Sequence, residues 1–301
     1  MAIVLGPNQY GKAEVRVVAV DRSSPRHELV DLDVSTSLRG DFAAAHTRGD
    51  NAHVLTTDAQ KNTVFAFARD GVGSPEAFGL RLARHLAGSY DWITGARVAV
   101  ESYGWERIPV GGRPHDHAFR RPGGEVRTAV VTVDGGEAHV LAGLADLVVL
   151  KTTGSEFWGF PRDRYTTLAE TRDRVLATAV TARWRYTSAD QDWDPVFHTV
   201  RTTLLETFAA THSLALQQTL YAMGEAVLEA VPEVAEVRMS MPNRHHFLQD
   251  LSAYGLSNTP GEDDVLVYHA DDRPYGLIEG TVLRDDVPPA EVAWLGTPGF
   301  C

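Results

Sequence analysis

Apolar and polar residues alternate with a period of two over much of the chain, a pattern that predicts β-strands with two different faces. The clearest case is residues 180–186, where the even-numbered positions are apolar or aromatic and the odd-numbered ones are threonine and arginine. The same alternation predicts seven further strands, at residues 13–20, 28–34, 96–100, 126–133, 236–241, 265–269 and 277–283.

A helical spacing of apolar residues occurs in three places, at residues 75–86, 195–208 and 216–231. Asp194 lies directly before Pro195, which predicts an N-cap followed by proline at the first helical position. These segments therefore predict three amphipathic helices that pack against the strands.

Strands come first along the chain, helices and more strands follow, and the same order then occurs a second time. This order predicts an α+β fold with antiparallel sheets, because a doubly wound parallel sheet would alternate strand and helix. The glycine pair Gly135-Gly136 predicts a turn near the middle of the chain. We expect a domain boundary there, which gives two domains, residues 1–135 and 136–301.

Charge and composition exclude several classes of protein. The formal net charge of -12 argues against nucleic-acid binding, because a phosphate backbone requires a basic surface. No apolar run approaches the roughly 20 residues of a membrane-spanning helix. The single cysteine, Cys301, excludes a disulfide framework and a thiolate metal cage. The expected protein is acidic, soluble and intracellular.

Lysine is rare in this chain. Among 28 basic residues the only lysines are Lys12, Lys61 and Lys151. Arginine keeps its proton in proteins, whereas lysine can lose it in a suitable environment. A cation that shuttles protons must therefore be one of these three. Compositional drift towards arginine explains the same counts, and composition does not decide between the two.

Common cofactor and metal motifs are incomplete. Gly71-x-Gly73 lacks the third glycine of a dinucleotide fingerprint, and no lysine-containing phosphate loop is present. His115-Asp116-His117 lies in a Gly/Pro-rich stretch without further ligands, so hydrogen bonding is the favoured interpretation. His245-His246 are neighbours whose side chains point to opposite faces of a strand. We therefore expect no bound cofactor and no metal.

The segment from Leu147 to Arg174 has the most distinctive composition. It begins as a buried strand, becomes polar at Lys151, and then places Phe157, Trp158 and Phe160 beside charged residues. Such a cluster predicts a stacking wall for a planar heterocycle, and a small aromatic core with surface charges is the structural alternative.

Residues 147–174 resemble the signature segment of the urate oxidases. Four other segments are similar to that family in the same order, at residues 8–12, 57–63, 213–219 and 241–245. The resemblance implies two tunnelling-fold (T-fold) domains, with antiparallel sheets and helices packed on one face. It also implies a homotetramer, a dimer of dimers around a central channel. The expected reaction converts urate and O2 to 5-hydroxyisourate and hydrogen peroxide without a cofactor.

The same resemblance implies roles for particular residues. Phe157 would stack on the purine, Arg174 would bind one edge of it, and Gln217 would bind the opposite edge. The other implied residues are Leu216 and Asp58 for backbone contacts, Asn243 for oxygen or water, and Lys12, Thr57 and His245 for a proton relay, Thr57 also touching the substrate. Lys12 and Thr57 would come from one subunit, and the residues that bind the purine edges from its neighbour.

Other interpretations of these residues remain open. Thr57-Asp58 is also a plausible helix N-cap, Gln217 a solvated helix residue, and Arg174 a salt-bridge partner. The alternative functions are a cyclohydrolase-like hydrolase of the same fold and a purine-binding protein without catalysis. The ending Gly299-Phe300-Cys301 lacks the Ser-Lys-Leu signal of peroxisomal relatives, so a bacterial cytoplasmic enzyme is expected.

Overall fold

Eight strands form one antiparallel sheet in the computed structural model, which describes residues 1–297. The strands lie in the order β1 (Tyr10–Asp21), β2 (Glu28–Gly40), β3 (Ile93–Tyr103), β6 (Val126–Asp134), β7 (Glu137–Lys151), β8 (Leu176–Tyr186), β9 (Val234–Pro242) and β12 (Leu277–Leu283). Each strand pairs antiparallel with its neighbour, so β1 and β12 are the two edges.

The long helices cover one face of this sheet. They are α2 (Thr57–Arg69), α3 (Pro75–Ala87), α4 (Trp193–Ala210) and α5 (Leu216–Ala230), with a short α1 (Ala43–Arg48) before them. Val131 packs in the main core with α3, whereas its neighbour Val130 packs with Trp294 of α6 (Glu291–Trp294). Successive strand residues point to opposite faces, so α6 lies on the face away from the long helices.

The two halves of the chain contribute matching sets of elements. Each half supplies four strands of the sheet, two long helices and one two-stranded hairpin inserted before its last strand. The hairpins are β4 (Glu106–Val110) with β5 (Arg113–Arg120), and β10 (His245–Leu248) with β11 (Tyr268–Asp271). Gly135-Gly136 forms the turn between β6 and β7, so the sheet runs through the expected boundary. The domains 1–135 and 136–301 stay a prediction.

The predicted fold class is confirmed: the chain is α+β, with an antiparallel sheet and helices packed on one face. The strand predicted at residues 180–186 is also confirmed as part of β8, and its four apolar and aromatic side chains are buried. Burial does not alternate at its end, because Arg185 is buried as well, where it pairs with Glu236. The prediction of a strand at residues 265–269 is wrong at its start, since β11 begins at Tyr268.

The predicted N-cap of α4 is wrong. The helix begins at Trp193, and Asp192 occupies the cap position without a side-chain cap bond. The carboxylate of Asp194 instead lies 2.6 Å from the guanidinium of Arg127, which also binds the fully buried Glu76. Because the helix begins one residue before Asp194, this carboxylate lies in the first turn, where it and Glu76 balance the charge of the partly buried Arg127.

Within residues 1–297 no helix has the length and apolar character needed to cross a lipid bilayer. The terminal residues Gly299, Phe300 and Cys301 lie outside the described residues.

Candidate active site

A cleft of about 770 Å³ lies beside the start of α5, bordered by the segment between β7 and β8 and by the β10–β11 hairpin. Six residues with roles implied from sequence line it together: Phe157, Arg174, Leu216, Gln217, Asn243 and His245. They come from segments that are far apart in the chain, so the fold itself gathers them. Residues without a sequence-based role also line the cleft, among them Leu168, Tyr268 and Ile278.

Arg174 supplies the cation of the cleft. Its Nε donates to Ser155 Oγ at 3.1 Å, and its guanidinium carbon lies 5.2 Å from the centre of the Phe157 ring. Burial lowers the pKa of Arg174, but an arginine stays charged at any physiological pH. In the part of the chain that the structure describes, no carboxylate pairs with Arg174. The salt-bridge alternative is therefore not favoured, and Nη1 and Nη2 are available to a ligand.

Phe157 is held in place by its backbone. Its N–H donates to Thr171 O at 2.9 Å, and the N–H of Thr171 donates back to Phe157 O at 3.0 Å. Phe160 stacks behind it with ring centres 5.1 Å apart. Trp158 does not line the cleft, because its Nε1 donates to Glu156 and Arg172 covers its ring. The predicted stacking wall is therefore wrong for Trp158 and rests on Phe157.

Leu216 and Gln217 are the first two residues of α5. The N–H groups in the first turn of a helix have no partner within that helix, and the helix dipole favours negative charge there. Leu216 is almost fully buried, whereas Gln217 is exposed in the single chain and borders the cleft. This end of α5 therefore offers backbone donors together with one side-chain amide.

Asn243 and His245 complete the cleft at the end of β9 and in β10. The N–H of Asn243 donates to Gly276 O at 2.8 Å, and the side chain is mostly buried. His245 stacks on Phe247 with ring centres 5.5 Å apart. Burial and the nearby charge of Arg174 lower the pKa of His245, while Asp271 partly opposes that shift. The imidazole is therefore neutral at neutral pH.

The other implied residues lie elsewhere, at the β1 edge of the sheet. Lys12 is followed at once by a β-bulge, in which Glu14 has a positive φ of 57°. Gly11 packs so tightly on β2 that a Cβ there would lie 1.7 Å from Thr36 O. A bulge bends its strand and redirects the neighbouring side chain. The backbone N–H of Lys12 donates to Thr36 Oγ1 at 3.3 Å, and a bond from its ammonium to Thr57 stays a prediction.

Thr57 and Asp58 begin helix α2. The N-cap is Thr56, whose Oγ1 accepts from Ala59 N at 3.0 Å, so the N-cap alternative for Thr57-Asp58 is wrong by one residue. The Asp58 carboxylate is bound by Lys61, which lowers the pKa of Asp58, and the charge of Lys12 adds to that effect. The backbone N–H groups of Thr57 and Asp58 lie in the first turn, as those of Leu216 and Gln217 do in α5.

A buried amide connects Lys12 to this helix. Gln60 has no exposed surface; its Oε1 accepts from Thr36 Oγ1 at 2.8 Å and its Nε2 donates to Leu55 O at 3.3 Å. Thr36 is the β2 partner of Lys12, and Leu55 lies just before α2. Hydrogen bonds therefore connect the strand that carries Lys12 to the start of the helix that carries Thr57.

The three lysines have different surroundings. Lys61 forms an ion pair with Asp58, and Lys151 donates to the carbonyls of Phe208 and Thr211 at the end of α4. These contacts indicate structural roles for Lys61 and Lys151. Lys12 is the lysine that remains for proton transfer.

The two groups of residues do not meet in one chain. Four strands separate β1 from β8, which puts them roughly 24 Å apart along the sheet at about 4.8 Å per strand. Lys12, Thr57 and Asp58 do not line the cleft of their own chain.

The histidine and glycine motifs have other surroundings. His115 and His117 lie on β5 with ring centres 4.5 Å apart, and within residues 1–297 no three His, Cys, Asp or Glu side chains converge as metal ligands. Gly71 and Gly73, both with positive φ, lie in the loop between α2 and α3, whereas a dinucleotide turn joins a strand to a helix.

Comparison with known proteins identifies the family. The uricase family model matches residues 8–132 and 140–279. The uricase of Arthrobacter globiformis is 56% identical over 299 residues, which are 99% of this chain and 96% of that protein. The chain belongs to the uricase family. A uricase of Dictyostelium discoideum is 38% identical over 282 residues, covering 92% of this chain and 96% of that protein.

Solved uricases have the same fold. The crystal structure of the Arthrobacter globiformis uricase superposes with a TM-score of 0.90 over 96% of this chain and 98% of that chain, at 56% identity. The fold is therefore the tunnelling fold of the uricases. The two matched segments flank Gly135-Gly136, and they contain all nine residues with implied roles. Membership of the uricase family sets aside the cyclohydrolase-like alternative.

Proposed function

We propose that this protein oxidises urate with O2 to 5-hydroxyisourate and hydrogen peroxide. The observation that carries the proposal is the gathering of Phe157, Arg174 and Gln217 around one cleft. A planar ring stacks on Phe157, while the guanidinium and the amide match the oxygen and nitrogen atoms at its two edges. The uricase family assignment agrees with this substrate.

The reaction is proposed to need no cofactor. Urate loses two electrons and O2 accepts them; with two protons O2 becomes hydrogen peroxide, and a water supplies the hydroxyl group that adds to the ring. Deprotonation enriches the ring in electrons, so the protein has to bind the anion and move protons. The backbone donors at the starts of α2 and α5 suit an anion, as helix N-termini generally do.

Proton transfer is proposed to run through Lys12, Thr57 and His245. Lys12 is the general base, Thr57 connects it to the substrate, and the neutral imidazole of His245 accepts or passes on a proton. Asn243 holds O2 or a water above the ring, and the backbone N–H groups of Asp58 and Leu216 bind the substrate's polar atoms.

The active site is proposed to form between two subunits of a homotetramer, a dimer of dimers. Lys12, Thr57 and Asp58 of one chain complete the cleft of its neighbour, since the sheet separates the two groups within one chain. Both open edges support such pairing: Val18 on β1 and Leu277 on β12 are exposed apolar residues.

We also propose two T-fold domains, residues 1–135 and 136–301, and a bacterial cytoplasmic setting, in keeping with the Arthrobacter relative.

The test is oxidation of urate by the purified protein in buffer containing a metal chelator. We expect urate's ultraviolet absorbance to fall while O2 is consumed and hydrogen peroxide appears in equal amounts. A purine-binding protein without catalysis would bind urate and leave both signals unchanged. A parallel assay without chelator separates the two failures: turnover only without chelator would overturn the cofactor-free reaction, and absence of turnover in both buffers would overturn the proposed function.

A further inference from the structure

Ser155 accepts two hydrogen bonds from Arg174, the cationic residue of the cleft. The serine has no exposed surface, its Oγ accepts from Arg174 Nε at 3.1 Å, and its carbonyl accepts from Arg174 N at 2.9 Å. Both contacts converge on Arg174, one on its side chain and one on its backbone. Ser155 does not line the cleft itself, so it touches no ligand there.

Ser155 is also tied to the segment that leads into α5. It forms a bridge with Ser213, which is equally buried. The N–H of Glu156 donates to Ser213 O at 2.7 Å, and the N–H of Ser213 donates to Gly154 O at 2.9 Å. Ser213 Oγ in turn accepts from Thr219 Oγ1, inside α5, at 2.8 Å. Ser155 therefore lies between Arg174 and the helix that begins with Leu216 and Gln217.

We propose that Ser155 is a positioning residue that fixes the guanidinium of Arg174 relative to the start of α5. The proposal rests on the proposed function, because it assumes that Arg174 and Gln217 bind opposite edges of one heterocycle. An arginine side chain has several rotatable bonds, and ordering it during binding weakens affinity. A hydrogen bond at Nε restrains the planar guanidinium and directs Nη1 and Nη2 before the substrate arrives.

The first measurement compares wild-type and Ser155→Ala enzymes, both as assembled oligomers. Ser155→Ala is expected to raise KM for urate about three- to tenfold, the range for losing one hydrogen bond of typical net strength, because the lost bond acts on the substrate only through Arg174; the change in kcat should be much smaller. The dissociation constant of 8-azaxanthine, which keeps the pyrimidinedione ring of urate, should rise by the same factor. An unchanged dissociation constant overturns the proposal.

A double-mutant cycle separates positioning from a general structural role. If Ser155 acts through Arg174, adding Ser155→Ala to Arg174→Ala should not weaken 8-azaxanthine binding further. If the two effects add, Ser155 stabilises the fold in another way and the proposal fails. Ser213→Ala is the matched control, because it removes an equally buried hydroxyl that does not contact Arg174. Its effect should add to that of Arg174→Ala.

A second variant covers the case in which Ser155→Ala does not fold. Ser155→Cys keeps a polar atom at this position but replaces the oxygen acceptor by the larger and weaker sulfur, so it should raise both KM for urate and the dissociation constant of 8-azaxanthine relative to wild type. Wild-type affinity in Ser155→Cys would contradict the proposal. A wild-type enzyme that does not oxidise urate at all would overturn the proposed function and not this contact.

Discussion

Lys12 and Arg174 are both cations, but their chemistry and their places in the fold differ. Lys12 follows a tightly packed glycine and precedes a bulge at the β1 edge, where the strand geometry sets its direction. Arg174 is half-buried in the cleft, next to the ring of Phe157. A group that binds substrate and a group that moves a proton should fail in different ways when they are substituted.

Lys12→Met should lose most of its turnover and leave binding intact. Loss of the general base is expected to lower kcat by about 10²- to 10⁴-fold, while 8-azaxanthine binds with nearly wild-type affinity. Lys12→Arg is the informative control, because it keeps the positive charge but not the ability to lose the proton. Substantial turnover in Lys12→Arg would show that Lys12 supplies only charge.

Arg174→Ala should act mainly on binding. We expect KM for urate to rise about 10- to 100-fold, the loss expected for hydrogen bonds from a charged donor, with a smaller fall in kcat. Arg172→Ala is the matched control, since that guanidinium lies on Trp158 outside the cleft. A fall in kcat at constant KM in Arg174→Ala would contradict its role in holding the substrate.

Protonation of His245 should determine how kcat/KM declines at low pH. Burial disfavours the imidazolium form and lowers its pKa below the ordinary value of 6.5, so the neutral form persists until the pH falls below that value. The decline of kcat/KM due to His245 should therefore have its midpoint below pH 6.5, and His245→Gln should remove that decline. A midpoint above pH 6.5 that disappears in His245→Gln would contradict this assignment.

Single residues were predictable from sequence to different extents. Phe157, Arg174 and Gln217 were identified through their resemblance to family segments, and the cleft contains all three. Ser155 lies within the signature segment, yet nothing in its spacing marks a buried hydroxyl beside Arg174. The prediction that Asp194 is the N-cap of α4 is wrong, and local sequence does not predict its ion pair because the partner, Arg127, lies far away in the chain.

At the scale of elements, alternation and helical spacing predict best where one face is strongly apolar. The helix α3 buries Phe78, Leu82 and Leu86 at intervals of four, so its position was evident from the pattern. Along α2 the buried residues are Gln60, Val64 and Ala68, of which one is polar and one is small. The buried face of α2 is therefore only weakly apolar, and hydrophobic spacing alone does not predict the helix that carries Thr57. The alternation pattern does not predict the β4–β5 hairpin and predicts only part of the β10–β11 hairpin, because these strands are short and mostly exposed.

Gly11→Ala tests whether the geometry of β1 sets the position of Lys12. The added Cβ would lie 1.7 Å from Thr36 O, so β1 must move away from β2 next to Lys12. We expect a fall in kcat of at least about tenfold, because small displacements of a catalytic group are costly, with a lower melting temperature. Gly6→Ala is the control, since nothing lies within 4 Å of that position. Wild-type kcat in Gly11→Ala would contradict the argument.

At the scale of the whole molecule, one sheet carries the two groups of proposed site residues far apart from each other. The sequence predicted an α+β chain with a repeated order of elements, and the repeat places Thr57 at the start of α2 and Leu216 at the start of α5. The two open edges of the sheet were not predictable from local patterns, because edge and central strands share the same alternation. The proposal of a site shared between subunits therefore rests on the family resemblance and on this topology, and no local pattern predicts it.

Mixing two impaired variants tests the shared active site most directly. Lys12→Met and Arg174→Ala subunits are unfolded together and refolded as a mixture. Urate oxidation is assayed against each variant refolded alone, at urate concentrations well below the wild-type KM, where the raised KM of Arg174→Ala leaves it only about 1–10% of the wild-type rate. If each site takes Lys12 from one chain and Arg174 from its neighbour, mixed pairs contain one intact site, and random reassembly restores about one quarter of wild-type activity. If both residues serve the same site from a single chain, the mixture oxidises urate no faster than the average of its two components, and that result would contradict the account.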